Sequence, residues 1–220
     1  MRSLLTTLAF LLPFKRLKVR ILNRLGHDIH PTVLIGVCLV RHVRRFELAE
    51  GAKIGHFNQF IGLELVHLGR GSRIIYFNQV MSGFTPEPGE PRGSHYGTLW
   101  MGENAHIVTS HILDCSGGVI VGDDCWITGV RSTVLSHAFD PAEGGILLEP
   151  VELKKGAIVA TSCTLLPGSV LGEGALLAAG SAVWTRQELA PGHVHGGVPA
   201  RRLSPVEISP DLYEFRRYQG

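Results

Sequence analysis

The sequence is short of net charge, of paired cysteines and of long apolar runs, and each shortage removes a class of function. Lys and Arg exceed Asp and Glu by only two in 220 residues, so there is no electrostatic case for nucleic acid. Cys38, Cys115, Cys125 and Cys163 show no paired metal-ligand spacing. They read as buried, reduced thiols of a cytoplasmic protein rather than as a disulfide frame. The N-terminal apolar run is too short to cross a bilayer, and Leu-Pro-Phe-Lys-Arg stands where a signal peptide would need small residues. There is no Gly-x-Ser-x-Gly, no P-loop and no dinucleotide fingerprint, which removes the common activated nucleophile and the common phosphate cradles. Hairpin signals between alternating runs are also missing, except around Gly117-Gly118.

What is present is a period of six. Leu153, Val159, Leu165, Leu171, Leu177 and Val183 follow one another at that spacing, and small residues (Ala157, Cys163, Ser169, Ala175, Ser181) stand four positions after the first five. Six is neither a helix period nor a simple strand alternation. One large inward residue, one small one and a turn every six residues describe one flat face of a parallel β-helix. Three faces make a coil of eighteen, so Leu153 should stack on Leu171, Val159 on Leu177 and Leu165 on Val183. The period recurs upstream in slipped blocks: Leu48, Ile54, Phe60, Val66; Leu68, Ile74, Val80; Met101, Ile107, Leu113, Val119; and Val121, Ile127, Thr133. The 27 glycines suit tight corners, and the 45% apolar content supports one sizeable core.

Three segments depart from the period. In residues 1–30, Leu4, Leu5, Leu8, Leu11 and Leu12 form a helical stripe ahead of Lys15, Arg16, Lys18, Arg20 and Arg24. The expectation is that these leucines seal the open first coil near Leu34 and Ile35. The alternative is that residues 1–24 lie as a basic amphipathic segment on a membrane, peripheral to its inner face. Excursions over about 81–99 and 138–150 interrupt the coil domain of residues 31–203, and such loops often carry function. In the tail, 204–220, Ser209-Pro210-Asp211 predicts a helix start.

Leu113-Asp-Cys-Ser-Gly-Gly-Val-Ile-Val-Gly-Asp-Asp, Leu135-Ser-His-Ala-Phe-Asp-Pro and Gly196-Gly-Val-Pro-Ala-Arg-Arg resemble segments of the hexapeptide-repeat acyltransferases, among them maltose, galactoside and polysaccharide O-acetyltransferases. The resemblance covers about residues 100 to 203. It implies an all-β fold, a left-handed parallel β-helix with an N-terminal helix, excursion loops and a C-terminal helix. It also implies a homotrimer, in keeping with closed cyclic symmetry and a solenoid that offers no deep pocket of its own.

His137 stands at the family's catalytic histidine position, at the mouth of the second excursion. Acyl transfer from a thioester to a hydroxyl needs a base near neutral pH, and histidine suits that task. The resemblance further implies that Thr161, Ala179 and Arg201 hold coenzyme A. Trp184 either lines that groove or covers the coil end. Small side chains would let the backbone meet pantetheine, and Arg201 or Arg202 could meet a phosphate. Asp114 matches a family carboxylate near the acceptor hydroxyl, with Thr109, His111 and Trp126 as its expected neighbours.

The expected function is acetyl-CoA-dependent O-acetylation of a sugar or polysaccharide precursor, with no metal. A rival reading uses the same fold. His106 and His111 have a spacing seen in γ-class carbonic anhydrases, with His95 as a third ligand for zinc-type hydration.

Overall fold

The computed structural model describes residues 2–84, 93–141 and 144–212. The middle of the first excursion and the tail beyond Leu212 lie outside the described residues. Apart from two N-terminal helices and two antiparallel pairs, the rest is a three-sided prism of short strands, wound so that each strand pairs with the strand one coil later rather than with its neighbour in sequence.

Each face is a column of stacked apolar side chains. On the first, Ile29, Leu48, Leu68, Met101, Val121, Leu153, Leu171 and Leu189 stand in register. The second carries Ile35, Ile54, Ile74, Ile107, Ile127, Val159, Leu177 and finally His195. On the third, Val40, Phe60, Val80, Leu113, Val134, Leu165 and Val183 follow one another. All are buried, and full burial of such a side chain stabilises by roughly 1.5–3 kcal/mol. The three expected pairings at the C-terminal end are the observed ones.

One upstream register differs. Val134, not Thr133, stacks on Leu113. The strand Trp126–Val130 runs one residue long at its corner, where Thr109 pairs with Val130 after a register shift. That extra residue turns Thr133 outward, because side chains alternate faces along a strand.

The edge between the second and third faces is held by a buried polar ladder. Asn78 donates its backbone and side-chain N–H groups to Asn58 Oδ1, and the His111 backbone donates to Asn78 Oδ1. The Ser132 N–H then donates to His111 Nδ1, and the Cys163 N–H to Ser132 Oγ. The four cysteines are buried and unpaired, and burial raises the thiol pKa of Cys38 to about 11 and of Cys125 to about 12.

Two helices, α1 (Arg2–Leu11) and α2 (Lys15–Arg24), close the first coil. The seal is not made by the expected leucines. Ala9, Phe10, Val19 and Leu22 face inward, and the Phe10 ring meets Phe46 at 4.7 Å. Leu4, Leu5, Leu8 and Leu11 are exposed. Lys18 is buried, and its ammonium donates to the carbonyls of Phe10, Ile35 and Gly36. It thereby ties α1, α2 and the first coil together. Among the described residues no helix is long and apolar enough to cross a membrane.

At the other end, Arg201–Pro205 turns back and pairs antiparallel with His193–Gly196. The expected helical tail from residue 204 therefore begins as a strand, which satisfies backbone groups that the last coil would leave open. Pro210–Leu212 forms a single 3₁₀ turn.

Candidate active site

Both excursions leave the prism at one edge, where the third face turns into the first. The second begins as a two-stranded hairpin, His137–Asp140 against Gly145–Leu148. It returns to the body through Glu149, whose carboxylate Arg186 grips with Nε and Nη2. The first excursion leaves from Met81 and comes back through His95. Gly117 and Gly118 form the floor between them. A Cβ on Gly117 would stand 2.4 Å from the Ser136 carbonyl, and one on Gly118 would stand 2.6 Å from His95. Gly118 also holds φ at +108°, so both loops come this close only because side chains are absent here.

His137 sits at this junction as the first residue of the hairpin. Its Nδ1 lies 2.6 Å from Asp114 Oδ2, one coil below. Asp114 pairs in register with Leu135, which places the residue two further on above its carboxylate. The Asp114 side chain is 6% exposed and that of His137 25%. The buried carboxylate accepts from Ser116 Oγ at 2.6 Å, the Ser116 N–H at 3.4 Å, the Ser136 N–H at 3.2 Å and His137 Nδ1, while the Ser136 hydroxyl stands 3.3 Å from Oδ2 and 2.7 Å from the Asp114 carbonyl. Ser136 Oγ also accepts the N–H groups of Gly117 and Gly118. With Nδ1–H committed to the carboxylate, the lone pair of the imidazole is on Nε2. A base oriented by a second group is an arrangement suited to removing a proton from a hydroxyl.

Phe84 closes the other side. Its ring lies 4.3 Å from the His137 ring, tilted by 42°. The backbone N–H groups of Gly83 and Phe84 donate to Ser116 Oγ. One serine thus links the first excursion to the carboxylate that holds the base. Ser116, Ser136 and Phe84 were not foreseen from the sequence. The only signal for the serines is their place in Asp114-Cys-Ser116 and Ser136-His137, where short hydroxyl side chains commonly bond a nearby carboxylate or backbone group.

The remaining expected site residues are dispersed. Asp114 has its oxygens taken up by the base and its serines. His111 is fully buried in the polar ladder and cannot touch a ligand. Burial lowers its pKa to about 4. Trp126 lies on the second face, edge-on to His106 with ring centroids 4.4 Å apart, and Thr109 is on the same face; neither neighbours Asp114. Thr161 and Ala179 are on the edge between the second and third faces. The Thr161 hydroxyl is spent on the Val130 backbone. Trp184 is on the same edge as His137, exposed, two coils further along and so about 10 Å away. Arg201 is exposed at the start of the returning strand.

The metal-site residues do not come together either. His106 is on the second face beneath Trp126, its pKa lowered to about 4 by burial and then by Arg73. His111 points into the ladder and His95 lies over Gly118. Among the described residues no three His, Cys, Asp or Glu side chains are grouped as metal ligands.

No family model matches the chain, and no curated protein matches it in sequence. Solved structures do match. A Bacillus cereus protein classed as an acetyltransferase superposes with a TM-score of 0.58 at 18% identity, over 83% of this chain and 88% of its own. An N-acyltransferase from Bacillus cereus, solved with dTDP and coenzyme A, gives 0.54 at 20%, over 83% and 87%. A hexapeptide-repeat acetyltransferase from Vibrio cholerae gives 0.53 at 17%, over 64% and 74%. The architecture shared with them is a left-handed parallel β-helix of hexapeptide repeats, whose faces are the columns described above.

Proposed function

We propose that the protein is a coenzyme A-dependent O-acyltransferase. It moves an acyl group, acetyl as the simplest case, from the thioester to a hydroxyl of a sugar or polysaccharide precursor. The observation that carries this reading is the His137–Asp114 pair, 2.6 Å apart on the one edge where both excursions meet.

His137 Nε2 takes the proton of the acceptor hydroxyl as its oxygen attacks the thioester carbonyl. Asp114 holds the ring and stabilises the imidazolium that forms. The carbon–sulfur bond then breaks, and the imidazolium returns the proton to the leaving thiolate. No covalent acyl-enzyme is needed. The Bacillus cereus N-acyltransferase that shares this fold was also solved with coenzyme A and dTDP-4-amino-4,6-dideoxyglucose, which supports a coenzyme A donor and an acceptor of saccharide chemistry for this chain.

The donor runs along the His137 edge past Trp184, and Arg201, which pairs opposite Gly196 beside Ala178, meets a phosphate from the edge that carries Thr161 and Ala179. Thr161 and Ala179 are on another edge, so a single chain cannot place them beside the same donor. A homotrimer, in which a neighbour's edge lies against the His137 edge, would do so. Coenzyme A release from acetyl-CoA, followed with a thiol reagent across a panel of saccharides and sugar nucleotides, tests the activity. Acceptor-dependent thiol release that disappears in His137→Ala is expected. Release that survives the substitution, or no release with any acceptor, would count against the reading.

A further inference from the structure

The N-terminal cap has one apolar face more than a cap needs. Its inner face, Ala9, Phe10, Val19 and Leu22, already closes the coil. On the outside, Leu4 is 64% exposed and Phe14 65%, while Leu5, Leu8, Leu11 and Leu17 are between 42% and 52% exposed. Leu4, Leu8 and Leu11 follow the helical spacing, so they form one stripe along α1. Exposed single leucines are ordinary, but six large apolar side chains on twenty residues of surface are a patch that requires a partner.

The charge around the patch identifies the partner. Lys15, Arg16, Arg20 and Arg24 are exposed beside it, and the first acidic residue of the chain is Asp28. Beside α2, Lys15 and Lys53 line a cleft of about 150 Å³, together with Leu34, Ile35 and His56 and with no carboxylate in its wall. Burial, then Arg73 and Lys15, lowers the pKa of Lys53. Such a cleft favours an anion. A second copy of this face would bring like charges together at close range, which disfavours self-association. A leaflet of anionic lipid satisfies both halves: acyl chains for the leucines and headgroup phosphates for the cations.

We propose that α1 and α2 dock the protein onto an anionic membrane surface, with Leu4, Leu8, Leu11, Phe14 and Leu17 entering the interface and Lys15, Arg16, Arg20 and Lys53 meeting lipid headgroups. Each helix has ten residues, about 15 Å, half of what a span requires. The pair therefore lies in the plane of the interface. This docking is independent of the acyl-transfer chemistry, since the patch and the His137 edge share no residue.

The test is co-sedimentation of the full chain with vesicles of phosphatidylcholine, alone or with about 30 mol % phosphatidylglycerol. Binding to the anionic vesicles, weaker at high salt, is expected, and little binding to the neutral ones. Leu8→Asp with Leu11→Asp should weaken it by roughly tenfold or more, and Arg16→Glu with Arg20→Glu by roughly fivefold for each cation removed. All four positions are exposed, so the thermal midpoint should hold. Equal binding by the leucine variant, or no binding by the native chain, overturns the proposal. It is also overturned if that variant keeps its vesicle affinity but loses an oligomer by light scattering, since the face would then be a protein interface.

Discussion

Asp114 and His137 are 23 residues apart in the chain and 2.6 Å apart in space, because one turn of the coil brings the end of one strand under the corner of the next. His137→Ala removes the base and should lower kcat by about 10²–10⁴, with coenzyme A affinity nearly intact. Asp114→Asn keeps the shape but loses the charge that steadies the imidazolium, and should cost about 10–10³ in kcat. Steady-state kinetics beside donor-binding calorimetry separates the two effects. Near-native turnover in His137→Ala would remove the histidine from the mechanism.

Phe84 confines the other side of the imidazole at 4.3 Å. Phe84→Ala frees the ring to leave the productive rotamer, so kcat should fall by roughly 3–30-fold while KM for the donor stays put. The folded state should hold, since Phe84 is on an excursion outside the apolar columns. A change confined to donor KM would show that Phe84 serves the donor instead.

The period of six made the columns legible, because stacking Leu153 on Leu171 needs only the local repeat. The corner at Gly129-Val130 hid its extra residue, and that is why Thr133 reads as inward where Val134 is. The dyad was harder. Asp114 read as an acceptor contact because its register with Leu135 crosses a block boundary, and no spacing in the sequence reports that crossing. The cap was readable as a cap but not as to which face does the sealing. A helix with apolar residues on two sides carries no mark of the side that Phe46 will meet, and Phe10 rather than the leucines meets it.

Arg201 begins the strand that folds back on the last coil, with its side chain exposed. If it meets a donor phosphate, Arg201→Ala should weaken coenzyme A by about 1.5–3 kcal/mol without moving the thermal midpoint. Calorimetry at low salt that gives an unchanged affinity would reduce Arg201 to a solvated charge.

Three buried or half-buried histidines make the fold acid-sensitive. Burial lowers the pKa of His27, His106 and His111 to about 4 each, assisted at His27 by Arg2 and Arg45 and at His106 by Arg73. The geometry agrees at two of them: His27 Nδ1 accepts the Phe46 N–H and His111 Nδ1 the Ser132 N–H, so a proton on either would face a donor. The unfolded chain takes up these protons near pH 6.5 and the folded chain only near 4. Stability is therefore full above about pH 6.5 and falls between 6.5 and 4, by up to ~1.4 kcal/mol per pH unit for each histidine. Denaturant melts from pH 7 to pH 4 should follow that slope, and His27→Asn should flatten it. A flat profile through this window would mean that the rings are already charged in the fold.

Lys18 is the last point of leverage, because its buried ammonium is bonded to carbonyls from both α1 and the first coil. Burial lowers its pKa to about 8, so at neutral pH the charge is retained and bonded to three carbonyls. Lys18→Met keeps most of the stem but removes the ammonium from those carbonyls, of which Phe10 retains the Cys38 N–H, and should destabilise by about 1–3 kcal/mol. Lys18→Ala also opens a cavity under the cap and should cost about 2–4 kcal/mol. Since the folded pKa is below the ordinary 10.5, the unfolded chain binds this proton more tightly. The contribution of Lys18 to stability should therefore rise as pH goes from 8 to 10.5. Urea melts of both variants at pH 7 and of the native chain across that window check this. Deleting residues 1–14 goes further, because it removes Phe10 and uncovers Phe46. Aggregation or a clear drop in thermal midpoint is the expected result. A truncated chain as stable as the native one would show that α2 alone closes the coil and that α1 is there for its outer face.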